Sequence, residues 1–215
     1  DALKAVVAEN KVAGIMMEVV QGEGGVLPLT AEFVAAAAQL CKDNDIPLMV
    51  DEVQTGNGRT GKLYGYQHFG IQPDIVSTAK GLGGGLPLGA TMMFEKTEKV
   101  LTPSSHGSTF GGNPVCCAGA CSILSRIDDN LLSEVKAKSE YIFEELGNAQ
   151  GVKSVSGLGL MIGIKCKKEA KEIMLGCLEK GLMVLTAKDK VRLLPPLTIS
   201  YEEIDEGLRI LTEIL

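Results

Sequence analysis

Short apolar runs alternate along the chain with longer stretches in which apolar residues recur every three or four positions. Ala13 to Val20 (AGIMMEVV), Ile46 to Val50 (IPLMV), Asp74 to Ala79 (DIVSTA) and Gly89 to Phe94 (GATMMF) are nearly continuous. That is the pattern of strands covered on both faces. Leu3 to Glu9 reads as the end of a helix, and Thr30 precedes an alanine-rich helical run, Ala31 to Lys42. Strands separated by helices predict an α/β fold with a mostly parallel sheet. The ligand crevice of such a sheet lies outside the carboxyl ends of its strands. Those ends carry Gln21-Gly22-Glu23, Asp51-Glu52 and Lys80.

The pattern changes beyond residue 100. A glycine-rich stretch, Leu101 to Asn113, leads to Pro114, which is well placed to open a helix. Helices are expected at Pro114 to Ile127 and Leu131 to Leu146. A smaller α+β region follows, with strands at Val152 to Ser156, Leu160 to Cys166, Met183 to Leu185 and Val191 to Leu194. Its helices are expected at Glu169 to Lys180 and Tyr201 to Leu215. Ser200 with Glu203 forms a capping-box signature for the last of them. The expected division is residues 1–128 and 129–215, with no internal repeat.

Composition narrows the function. The chain has 215 residues, 45% hydrophobic and 22% charged, which is ordinary soluble usage. A net charge of −6 argues against a nucleic-acid partner, though small anions can still be held locally. The apolar runs fall short of the roughly 20 residues of a membrane helix, and no secretory signal is visible. The six cysteines form no CxxC pair and only two histidines are present, so no metal site is expected. A reduced, cytoplasmic setting fits this cysteine usage. The chain starts at Asp1, without a methionine, inside a helical pattern.

Candidate chemistry gathers at the strand ends. Lys80 ends an apolar strand and is followed by four glycines in five positions. A lysine in a tight, partly dry pocket can lose its proton and attack carbonyls. Asp51 ends the neighbouring strand, where an uncompensated buried carboxylate is costly and a cationic partner is expected. Lysine and aspartate across adjacent strands fit pyridoxal phosphate chemistry, in which the carboxylate keeps the pyridine nitrogen protonated. Arg192 lies in an apolar strand (VRLLPPL), suited to bidentate capture of a carboxylate, with Glu23 as its resting partner. Gly56 to Leu63 (GNGRTGKL) nearly matches a phosphate-binding loop, which makes a nucleotide-binding protein the different-class alternative. Leu63 stands where that motif needs a hydroxyl. Gly157 to Gly163 (GLGLMIG) is a weak dinucleotide lookalike that reads as a strand.

Together, EVVQGEGG, DEVQTGNGRTG, DIVSTAKGLGGGLPLGA, HGSTFGGNP and GLGLMIG resemble the class III aminotransferases of the fold-type I pyridoxal phosphate group. The resemblance runs from Asp1 to the C-terminus. It implies pyridoxal 5′-phosphate as cofactor, with Lys80 as the lysine that bonds to it. Asp51 is then the partner of the pyridine nitrogen, with Glu52, Val53 and Gln54 beside it. Val53 packs on the ring and Gln54 lies on its hydroxyl side. Thr109 contacts the phosphate in a neighbouring subunit of a homodimer, and Ser108 is a substrate contact. Glu23 and Arg192 switch between amino donors and the carboxylate of 2-oxoglutarate. The implied reaction moves the ω-amine of N-acetylornithine, or a related acylated diamine, to 2-oxoglutarate, with ornithine or 4-aminobutyrate as alternative donors. Members of this family run close to twice the present length. The resemblance thus implies the C-terminal half of such an enzyme, 1–128 from its cofactor-binding domain and 129–215 its small domain. Weak cofactor binding and negligible turnover are expected of this half alone.

Overall fold

A helix needs its first amides satisfied and one face buried; a strand needs partners on its edges. In the computed structural model, which describes residues 1–215, these needs are met within two compact units. One comprises Asp1–Val19, Leu29–Asn57 and Tyr64–Ile127; the other comprises Val20–Pro28, Gly58–Leu63 and Asp128–Leu215.

The first unit is built on α1 (Ala2–Glu9), β1 (Ile15–Met17), α2 (Ala31–Asp43), β4 (Leu48–Asp51), β5 (Ile75–Thr78), β6 (Ala90–Met93) and α3 (Pro114–Leu124). The intervening β2 (Val20–Gln21) and β3 (Leu27–Pro28) belong to the second unit. Thr30 caps α2 by accepting the Phe33 amide, and Val34, Ala37 and Cys41 form its buried stripe. Ile15, Cys41 and Leu48 pack as one apolar cluster with Leu3, Val7 and Ile46 around them. The sheet order is β1-β4-β5-β6. β1, β4 and β5 run parallel, and β6 runs antiparallel to β5. The reversal follows from the connection: residues 79–89 are too few for the crossover helix that another parallel strand needs.

The expected single strand Ala13 to Val20 is two. β1 stops at Met17, and β2 pairs antiparallel with β3 in a separate hairpin. The tip Gly22–Gly25 lets the chain fold back, with the Gly25 and Val26 amides both donating to the Gly22 carbonyl.

The second unit continues with α4 (Asp129–Asn148), β7 (Val152–Leu158), β8 (Met161–Cys166), α5 (Ala170–Glu179), β9 (Leu185–Ala187), β10 (Lys190–Leu193) and α6 (Tyr201–Ile214). Its sheet is antiparallel in the order β7-β8-β10-β9. Leu146, Leu160, Ile162, Ile164, Ile173 and Leu211 form its fully buried centre. The Ser200–Glu203 capping box closes the start of α6 as expected. No helix is long and apolar enough to cross a membrane.

The GLGLMIG stretch owes its glycines to packing. Gly159, at φ 58°, lies so close to the Arg59–Thr60 backbone that a β-carbon there would sit 2.5 Å from the Arg59 carbonyl oxygen. Gly147, within α4, has nothing within 4 Å of the same position. Gly159→Ala should therefore lower the unfolding free energy by roughly 2–4 kcal/mol. Gly147→Ala should raise it by up to about 1 kcal/mol. Urea unfolding checks both, and a Gly159→Ala chain as stable as the wild type contradicts the packing account.

Candidate active site

The parallel β4–β5 pair, with Asp51 opposite Ser77, carries both strand ends to one edge of the sheet. Asp51 is half-buried. Its Oδ1 accepts the Val53 amide at 2.9 Å and the Ser77 hydroxyl at 3.1 Å. No lysine or arginine pairs with it, contrary to the cationic partner expected. Two hydrogen bonds and partial solvent contact stand in place of that partner. Both bonds fall on Oδ1, which leaves Oδ2 as an acceptor directed to no group of the chain.

Lys80 follows the end of β5 and opens a tight 3-10 turn, Lys80–Gly83. Its backbone is left-handed, at φ 48°. The side chain is exposed and makes no ion pair, rather than lying in the dry pocket expected. The turn aims the backbone away and leaves the side chain uncovered. Gly84, one of the glycines that follow the lysine, admits Ile123 of α3, which lies 2.7 Å from where a β-carbon would stand.

Glu52 behaves quite differently from its neighbour. It is fully buried. Its carboxylate accepts the Thr55 hydroxyl at 2.6 Å, the Gly65 amide at 2.8 Å and the Tyr66 amide at 2.7 Å. Grouped with the cofactor-binding residues in the sequence, it spends both oxygens inside the unit. Val53 and Gln54 are half-buried beside Asp51, and Ser108 and Thr109 lie on an exposed loop.

In the second unit, Arg192 is 8% exposed and donates through Nη1 to Glu23 Oε1 at 2.7 Å, the pairing expected from the sequence. Its Nε is buried with no partner in the chain.

The loop resembling a phosphate cradle has other duties. Arg59 Nη1 donates to the carbonyls of Leu160 and Pro195, at 3.1 and 2.6 Å, and burial holds its pKa down to about 10. Only a four-residue 3-10 turn, Gly65–His68, follows, where a phosphate loop needs a helix. Asn57, concealed in the same string, proves to be a buried contact of the β5 end: its Nδ2 donates to Thr78 and Ala79. Its sequence signal is the Asn-Gly dipeptide, which favours a left-handed turn.

The whole chain, residues 1–215, matches the aminotransferase class-III family. The chain is a class-III aminotransferase sequence. The acetylornithine aminotransferases of Haemophilus ducreyi and Aquifex aeolicus are each 45% identical to it, over 100% and 96% of the chain. The chain spans 55% of the length of each of these relatives. Among solved structures, it superposes on N-acetylornithine aminotransferase of Stenotrophomonas maltophilia with a TM-score of 0.91 and 33% identity, covering 99% of the chain and 58% of that protein. Ornithine δ-aminotransferase of Plasmodium falciparum gives 0.89 and 35%, again over 99% and 58%. The α/β fold expected from the sequence is that of this class-III aminotransferase family.

Burial pushes the Glu52 carboxyl above the usual glutamate range, outweighing the Thr55 hydroxyl and the Gly65 and Tyr66 amides, which lower it. A raised folded-state pKa means the folded chain holds this proton more tightly than the unfolded one. The resulting stability is fully present below about pH 4.3 and is lost as pH rises through the folded value. Glu52→Gln cannot titrate. Urea midpoints should therefore shift in favour of the variant, relative to wild type, between about pH 4 and pH 7; a constant difference contradicts the burial assignment.

Proposed function

We propose that this chain is the lysine-bearing part of a pyridoxal phosphate-dependent enzyme of the class-III family. It transfers the terminal amine of N-acetylornithine, or a related acylated diamine, to 2-oxoglutarate, a step of arginine biosynthesis. The observation that carries the proposal is Lys80 and Asp51 at the same-edge ends of adjacent parallel strands. The relatives at 45% identity that bear the acetylornithine aminotransferase name support the donor. Residues 1–128 are assigned to the cofactor-binding domain and 129–215 to the small domain.

The residues present fit the cofactor. Asp51 has an uncommitted oxygen held in place through its partner oxygen, and Lys80 has an exposed amine without a competing carboxylate. When bound, pyridoxal phosphate supplies an aldehyde that condenses with amines and a protonated ring that withdraws electrons. Lys80 Nζ is the nucleophile toward that aldehyde. With cofactor and donor bound, Nζ would take the proton from the amine-bearing carbon of the donor and would deliver it to the carbon of the former aldehyde. Asp51 Oδ2 holds the proton on the ring nitrogen, while Val53 N–H and Ser77 Oγ keep the carboxylate from turning. Val53 would pack on the ring and Gln54 would serve its hydroxyl side. Glu52 supports this stretch from the interior.

Arg192 captures the carboxylate of 2-oxoglutarate through its guanidinium fork, and Glu23 covers that charge when an amino donor is bound. Ser108 contacts substrate. Thr109, on its exposed loop, holds the cofactor phosphate of a second copy, so the enzyme works as a homodimer. Six unpaired thiols support a reducing cytoplasmic setting. Ornithine or 4-aminobutyrate as donor is the second reading, and the structural likeness to ornithine δ-aminotransferase favours ornithine of the two.

Millimolar pyridoxal phosphate followed by borohydride and peptide mapping tests the assignment. Pyridoxyl label is expected on Lys80 ahead of every other lysine, with the accompanying visible absorbance lost in Lys80→Ala. Label spread evenly over surface lysines, with absorbance unchanged in Lys80→Ala, contradicts it. In the same assay N-acetylornithine should suppress Lys80 labelling more strongly than ornithine; the reverse order favours the second reading.

A further inference from the structure

Asn57 and Lys80 both hold left-handed backbones, at φ 57° and 48°, a conformation that asparagine adopts readily and that carries strain in lysine. Asn57 is 7% exposed. Its Nδ2 donates to Thr78 Oγ1 and to the Ala79 carbonyl, each at 3.1 Å. That carbonyl can only accept, which fixes the end of the amide that bears the nitrogen. It also takes the Leu82 amide at 3.0 Å, the bond that closes the turn after Lys80. Two donors thus converge on the one carbonyl that precedes the lysine. Gly81, the next residue, packs against Asn57, whose Cβ lies 3.5 Å from the place of a glycine β-carbon.

Stability does not explain this asparagine. Its Oδ1 is buried without a partner in the chain, and an unsatisfied acceptor weighs against folding. What the arrangement provides is a fixed peptide immediately before Lys80.

We propose that Asn57 is a positioning residue for Lys80. Its amide clamps the Ala79 carbonyl, stabilises the left-handed backbone of the lysine and so restricts where the ammonium is presented. The inference rests on the assignment of Lys80 as the cofactor lysine, but the clamp itself is a property of the backbone. Asn57 touches no reacting atom.

Amide hydrogen exchange at Leu82 reads the clamp without cofactor. Asn57→Gly removes the side chain and keeps the left-handed backbone accessible; Asn57→Asp keeps the shape and replaces the donor with an acceptor. Both should speed Leu82 exchange on the order of five- to tenfold, the loss of one hydrogen bond, with the amides of β4 unchanged. The share of pyridoxyl label on Lys80 should fall by a similar factor relative to other lysines. Thr78→Val, which spares the bond to Ala79, should leave Leu82 exchange within about twofold of wild type. Unchanged Leu82 exchange in both Asn57 variants overturns the proposal. So does a rise spread evenly over the first unit, which marks a merely structural role. A wild-type chain with no preferential label on Lys80 removes the functional assignment instead, and Leu82 exchange still decides the clamp.

Discussion

The register of two four-residue strands, Leu48–Asp51 against Ile75–Thr78, is the constraint on which the candidate site depends. It sets Asp51 opposite Ser77, and the Glu52 amide extends the ladder by donating to the Ser77 carbonyl at 2.8 Å. Side chains alternate along a strand, so a slip of one residue exchanges the fates of two adjacent carboxylates. Glu52 would lose its three donors, and Asp51 would enter an interior that has none arranged for it. The penalty for burying an unpaired carboxylate makes the register close to obligatory. A catalytic-looking strand end is thereby fixed by the requirements of a structural residue beside it.

Two local devices then refine what the register provides. Glu52 ties the chain after β4 to the Gly65 and Tyr66 amides, which fixes the departure of the backbone from Asp51. Asn57 ties the same segment to the end of β5. Each includes a group held at some cost: a carboxylate in the interior, an amide oxygen without a partner, a left-handed lysine. Costs of this kind also occur in the second unit, where Val26 is left-handed and Arg192 Nε is buried without a partner, beside an otherwise aliphatic core. Around Asp51 and Lys80 they are tied to one another by hydrogen bonds between the two strand ends.

Much of this was legible in the sequence because short apolar runs ending on Asp51 and Lys80 name both the strands and their carboxyl ends. The Glu23–Arg192 pair was legible too, since a buried arginine calls for a partner. Other features follow from information that no local pattern carries. AGIMMEVV carries one charge, Glu18, directly after Met17, and a single charge inside an apolar run does not by itself announce two strands; the break comes with the pairing of Val20–Gln21 to β3. GATMMF reads as a strand in either direction, and the length of residues 79–89 decides which. Nor could composition tell which of Asp51 and Glu52 turns inward, because two of the three donors for Glu52 lie 13 and 14 residues further on. Asn57 lay hidden in a string that imitates a phosphate loop.

The central claim is that Asp51 and Lys80 serve one ring from adjacent strands. Nitrogen-15 NMR of a ring-labelled pyridoxyl group fixed on Lys80 tests it most directly. With wild-type Asp51 in place, the ring nitrogen should stay protonated to a higher pH than in Asp51→Asn, because a neighbouring carboxylate stabilises the pyridinium. Identical titrations in the two chains would contradict the account.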